Sequence, residues 1–274
     1  IHLKNKIGIM QGRLTPPYNN LIQSFPWNNW KNELEIAKNN NFKFIEWTID
    51  HKDFSKNPII HCPQYVRTFI ERKKIFVKTI TADSVMQRPL HKIKKREFEK
   101  EFKNFQKLVF SSRLIGIKYI IYPLVDNGSL ETLHQESLLL EALTKLYNTL
   151  MEENVTILFE SDYNPIKLKK FIEKLPITKF GINYDTGNSA HFGYEIEDEF
   201  SAYGNRVMNL HIKDRKFNGP TIPLGEGDVD FKKLFNLIHS YKYNKLLILQ
   251  SARKETGEEL ETIIHYRNFL LKFL

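Results

Sequence analysis

The chain has 274 residues, 41% of them hydrophobic and 27% charged. That is enough apolar side chain to bury a large core and too much for a disordered chain. A single cysteine, Cys62, excludes an internal disulfide framework and suits a reducing, cytoplasmic compartment. The formal net charge of +9 points to anionic partners, yet the densest basic run, residues 92–107, alternates in sign at helical spacing. It reads as a solvated helix face, so no nucleic-acid partner is expected. No apolar run approaches the roughly 20 residues a membrane span needs, so no membrane partner is expected either. The first ten residues have no signal-peptide architecture. The chain opens on Ile1, and the numbering is therefore expected to start inside a trimmed or modified chain.

In chain order, short apolar and β-branched runs recur at 6–10, 42–49, 75–81, 118–124, 155–160, 179–185, 207–213 and 245–250. Segments of helical period lie between them. Residues 27–40 form one, and residues 98–114 another, with Phe98, Phe102, Phe105 and Leu108 on one stripe. The longest are 129–154 and 256–274, and the weakest is the short acidic stretch 194–205. Strict alternation of strand and helix predicts a parallel sheet. Eight such units in this length predict an α/β fold, a closed (β/α)8 TIM barrel forming a single domain over 1–274. The long Gly/Pro-rich loop 214–231 is expected to act as a lid or substrate loop.

In such barrels the chemistry sits at the carboxyl ends of the strands. Those ends carry Gln11 and Arg13; Glu46, Trp47 and Asp50; Asp83; Tyr122 and Asp126; Glu160; Asp185, with Asn188 and His191 just beyond; His211, Lys213, Asp214 and Arg215; and Gln250 and Arg253. Strands five to eight thus end in Glu, Asp, His and Gln. Two carboxylates, one imidazole and an amide oxygen can surround one divalent metal, Mn²⁺ or Mg²⁺ by preference and Co²⁺ or Zn²⁺ as alternatives. The competing reading of the same residues is a salt-bridge network with Lys213 and Arg215. Arg13 and Arg253 suit a phosphate or carboxylate group. Glu46 suits a hydrogen bonder and Trp47 a sugar-stacking platform.

The blocks LFESDYN (158–164), INYDTGNSAHFGY (182–194), NLHIKDR (209–215), PLGEGDVDF (223–231) and ILQSAR (248–253) resemble the xylose isomerase-like TIM-barrel superfamily, as does IGIMQGRL (7–14). Its sugar and sugar-phosphate isomerases and epimerases, including the ketose 3-epimerases, are the nearest in pattern. The resemblance implies one divalent metal held by Glu160, Asp185, His211 and Gln250. It implies a sugar or sugar-phosphate substrate, with Glu160 taking a proton from the carbon beside its carbonyl, and homo-oligomerisation in keeping with the family. Arg215 matches an arginine that contacts substrate in the 3-epimerases, with Lys213, Arg13 and Arg253 as further orienting groups.

Two positions depart from the 3-epimerase pattern. Asn188 stands where that pattern has His, and is suited to bonding a sugar hydroxyl. Gln250 stands where it has Glu, the second acid/base. An amide can offer its oxygen but cannot carry a proton. One-base isomerisation, dehydration of the inosose-dehydratase kind, epimerisation with Asp83 or Glu46 as second base, and a non-catalytic sugar-binding barrel all remain open. Endonuclease IV-type DNA repair is disfavoured, because it needs histidines for three zinc ions that these strand ends lack.

Overall fold

The computed structural model describes residues 3–274. Eight parallel strands close into a barrel: Ile7–Met10, Phe44–Thr48, Phe76–Thr81, Tyr119–Leu124, Thr156–Ser161, Phe180–Asp185, Val207–Ile212 and Leu246–Leu249. Each pairs with its sequence neighbours, and the first closes on the eighth through Ile7–Leu247 and Ile9–Leu249. All eight strands fall where short apolar runs predict them. Helices Trp30–Asn39, Lys95–Ile115, Leu133–Glu152, Ile196–Tyr203 and Glu259–Leu271 occupy the segments of helical period. No helix among the described residues is long and apolar enough to cross a membrane.

Period-two alternation divides the strands between two environments. Outward residues such as Ile9, Ile45, Trp47, Ile80, Leu210 and Leu249 join the main apolar cluster beneath the helices. Inward residues fill the barrel in layers. Met10, Leu246 and Ile248 form a small apolar plug with Phe44. Gly8 belongs to this layer, where a Cβ would come within 2.8 Å of Ile248 Cδ1 and 2.9 Å of Phe44 Cβ. Above the plug the interior turns polar, with Glu46, Thr79, Asn183 and Asn209 all buried. Buried polar groups at this density are tolerated only when they satisfy one another or serve a ligand.

The loop expected to be a lid or substrate loop is anchored at both its ends. Asp214 and Arg215 pair with Thr221 and Ile222 in a small antiparallel ribbon. The Asp214 carboxylate accepts backbone N–H groups from Gly225 (2.8 Å), Gly227 (3.0 Å) and Val229 (3.2 Å). A Cβ on Gly227 would overlap Asp214 Oδ1 at 1.8 Å, so the His-Ile-Lys-Asp block needs the glycine-rich block that follows it.

Candidate active site

A cavity of about 440 Å³ opens at the carboxyl ends of the strands, lined by Glu160, Asn188, Lys213, Arg215 and Gln250 among others. Glu160 is the penultimate residue of the fifth strand, Asp185 ends the sixth, and His211 lies in the seventh. Parallel register sets Asp185 beside His211 and Ile248 beside His211. Inward alternation then brings Gln250, two residues on, to the same rim.

The centre is built around His211. Its Nε2 donates to Glu46 Oε1 at 2.6 Å. Glu46 also accepts from Thr81 Oγ1 (2.6 Å) and Asn209 Nδ2 (3.1 Å), and is wholly buried. A carboxylate on Nε2 fixes the neutral ring with its lone pair on Nδ1. Among the described residues no group donates to that Nδ1, which faces Glu160 Oε2 at 3.0 Å. A lone pair aimed at a carboxylate oxygen is stable only with a cation between them. Without a metal, a proton fills the gap: Glu46 and Glu160 outweigh the opposing effect of burial and hold His211 up to about 10.

Glu160 accepts from Asn183 Nδ2 (2.8 Å) and Asn188 Nδ2 (2.9 Å), one on each oxygen. Asp185 accepts Lys213 Nζ at 2.9 Å and the Asn188 N–H at 2.9 Å. Burial opposes its charge, but Lys213 and then His211 hold the carboxyl below its usual range. Lys213 reaches Asp185 over Gly187, where a Cβ would lie 2.7 Å from the lysine Cγ.

These residues fit a divalent cation. One ligand atom each from Glu160, Asp185 and His211 lies within 4.8 Å of the others, and all three side chains are buried. Gln250 donates Nε2 to Gln23 Oε1 at 2.7 Å, which leaves its Oε1 buried without a partner among the described residues. Glu46, Glu160 and Asp185 together bring three negative charges against the one of Lys213, an excess that a hard divalent ion would balance.

Four expected substrate contacts are not among the residues that line this cavity. Trp47 is no stacking platform: it points outward, wholly buried against Phe25 and Trp30, with Nε1 donating to Asn57 Oδ1 at 3.1 Å. Glu46 lies beneath His211 and is closed off from the cavity, which also removes it as a second base. Arg13 and Arg253 stand outside the cavity lining. Arg13 donates to the carbonyls of Ser251 (3.3 Å) and Ile22 (2.7 Å). Arg253 donates to those of Thr15 (3.1 Å), Ile22 (3.1 Å) and Gly12. With Glu33, which accepts Gly12 N–H at 2.7 Å and Leu14 N–H at 3.1 Å, they fold the loop after strand one. Arg253→Lys is therefore expected to cost about 1–3 kcal/mol of stability through stranded carbonyls. The KM for any sugar should move less than twofold, as denaturant melts and initial rates would show.

Arg215 does line the cavity. It donates to Gly219 O through Nε (3.1 Å) and Nη2 (2.9 Å) and to Asn188 Oδ1 through Nη1 (3.4 Å). His191 is at the rim, its Nδ1 3.1 Å from Gly219 O. The lining also holds residues that sequence reasoning did not single out, Gln23, Asp162 and Phe192 among them. Phe192, 37% exposed and stacked on Tyr194 at 5.5 Å, offers the aromatic face that Trp47 does not. Its one sequence signal is its place directly after His191. A second cavity, about 480 Å³, opens at the opposite end of the barrel among Lys6, Lys78, Lys118 and Lys245. Among the described residues its wall holds no carboxylate or imidazole, and part of the net positive charge gathers there, away from the acid–base centre.

Comparison with known proteins agrees with this architecture. A putative L-ribulose-5-phosphate 3-epimerase of Haemophilus influenzae is 23% identical over 98% of this chain and 96% of its own length. Among solved structures, L-ribulose 3-epimerase superposes with a TM-score of 0.74 at 17% identity, covering 98% of this chain and 94% of that one. The zinc-bound IOLI protein superposes with a TM-score of 0.76 at 15% identity, covering 98% and 99%. The family model for xylose isomerase-like TIM barrels matches residues 34–269. The chain belongs to the xylose isomerase-like TIM-barrel family.

Proposed function

We propose that this chain is a divalent-metal-dependent sugar or sugar-phosphate epimerase or isomerase that moves a proton at a carbon next to a carbonyl. The observation that carries the reading is the convergence of Glu160, Asp185 and the Nδ1 of His211 within 4.8 Å at the floor of a polar cavity. The curated relative named as an L-ribulose-5-phosphate 3-epimerase, similar over nearly the whole chain, supports a ketose or ketose phosphate as substrate. Glu160, Asp185 and His211, with the Oε1 of Gln250, would hold the metal. When bound, the metal polarises the substrate carbonyl and stabilises the negative charge that forms on its oxygen.

The protein's own groups do the rest. Glu160 takes the proton from the carbon beside the carbonyl. Asn183 and Asn188 hold its two oxygens, so the carboxylate has one orientation relative to the substrate. Glu46 fixes the His211 ring from behind, and Lys213 keeps Asp185 ionised. Arg215 and Asn188 orient hydroxyl or phosphate oxygens at the mouth, with Phe192 beside them. Gln250 binds but transfers no proton. In deuterium oxide, the metal-loaded protein is expected to exchange one substrate hydrogen next to the carbonyl of a ketose or ketose 5-phosphate. Metal binding without exchange or product on any sugar would overturn the reading.

A further inference from the structure

Inversion at a single carbon needs a proton taken from one face and another delivered to the opposite face. Gln250 cannot deliver one, and Glu46 is sealed beneath His211. Among the other titratable groups of the cavity wall, Lys213 is bound to Asp185, His191 faces a carbonyl, and Asp162 is engaged by Ser129 Oγ. Asp126 lies at the exposed rim. Asp83 differs from all of these. It follows strand three, lines the cavity, and is 5% exposed.

Its single side-chain partner among the described residues is Gln23, whose Nε2 donates to Asp83 Oδ2 at 2.8 Å. Gln23 in turn accepts from Gln250 at 2.7 Å. The chain Gln250–Gln23–Asp83 spans the wall formed by strand eight, the loop after strand one, and strand three. It replaces a proton-carrying side chain on strand eight with a bonded link to a carboxyl on strand three. Glu160 lies near the end of strand five, with strand four between it and strand three, so the two carboxyls reach the cavity from strands two places apart in the barrel.

We propose that Asp83 is the second proton-transferring group of this site, positioned by Gln23 and Gln250; the inference rests on the epimerase reading above. In the forward direction Glu160 takes the proton, and the C–H electron pair moves to form an enediolate. The Asp83 carboxylic acid then gives its proton to the other face of the same carbon, and the carbonyl re-forms. Glu160 ends protonated and Asp83 ionised, with nothing oxidised or reduced. Exchange with water restores both. Burial pushes Asp83 up to about 7 against the hydrogen bond from Gln23, with Asp50 and Glu160 adding to the rise, which favours the acid form that this step uses.

The test follows deuterium and configuration together by NMR, with L-ribulose 5-phosphate and free ketoses as probes. Wild type, Asp83→Asn, Asp83→Glu and Glu160→Gln are compared, with melting temperatures recorded. Asp83→Asn is expected to keep exchange within tenfold of wild type, with the configuration retained, while epimer formation falls at least 100-fold. Asp83→Glu should recover part of the epimer formation. Epimer formation by Asp83→Asn within tenfold of wild type would overturn the proposal. So would a parallel loss of exchange and turnover in both Asp83 variants, the mark of a structural role. A wild type inert on every probe would instead sink the epimerase reading, and this inference with it.

Discussion

Glu160→Gln is expected to lower turnover by roughly 10²- to 10⁴-fold, the range that a positioned general base contributes. The substitution keeps shape and removes only the capacity to take a proton. Its amide oxygen still faces the metal position. Its new NH₂ would meet one of the two amide donors, Asn183 Nδ2 or Asn188 Nδ2. Asn188 can turn its own oxygen inward by giving up a 3.4 Å contact with Arg215, so the cost in stability should be about 1 kcal/mol. Rates on the best substrate, metal content and a denaturant melt check this together. Retained activity would remove Glu160 as the base.

His211→Ala is expected to have the largest effect on stability. It strips away the partner that Glu46 bonds at 2.6 Å in a place with no access to water. A buried carboxylate that loses its partner costs about 3–5 kcal/mol. Thr81 and Asn209 still bond Glu46, which should hold the cost near the lower end. The same change removes the one nitrogen ligand, so metal affinity should fall by well over tenfold. The double variant His211→Ala/Glu46→Gln should recover much of the stability but none of the metal binding. Chemical denaturation and metal titration separate the two effects.

Much of the scaffold is legible in the chain because a parallel barrel repeats one simple pattern. The Glu160, Asp185 and His211 strand ends stand out because a carboxylate or imidazole ending an apolar strand has no packing reason to be there. Trp47 shows what alternation adds: once Glu46 points inward, the next residue must point outward, and its ring falls beneath the helices. Arg13 and Arg253 are a different matter. A strand-end arginine can meet a ligand or a carbonyl, and for Arg253 the choice rests on how the loop after strand one folds back to it, bringing in Thr15 from 238 residues away. Gln23 carried no signal at all, since its contact with Gln250 crosses 227 residues and exists only because the barrel closes. The anchoring of loop 214–231 was not legible for a local reason: Asp214 reads as a site residue until its three backbone donors are seen.

The most direct measurement is deuterium uptake from solvent into a ketose or ketose 5-phosphate, followed by NMR with the protein loaded with Mn²⁺ or Mg²⁺ and again after chelation. Expected is uptake at one carbon adjacent to the carbonyl, lost on chelation, restored by adding metal back, and lost in Glu160→Gln. Uptake unchanged by chelation or by Glu160→Gln would contradict a metal-assisted proton transfer centred on Glu160, Asp185 and His211.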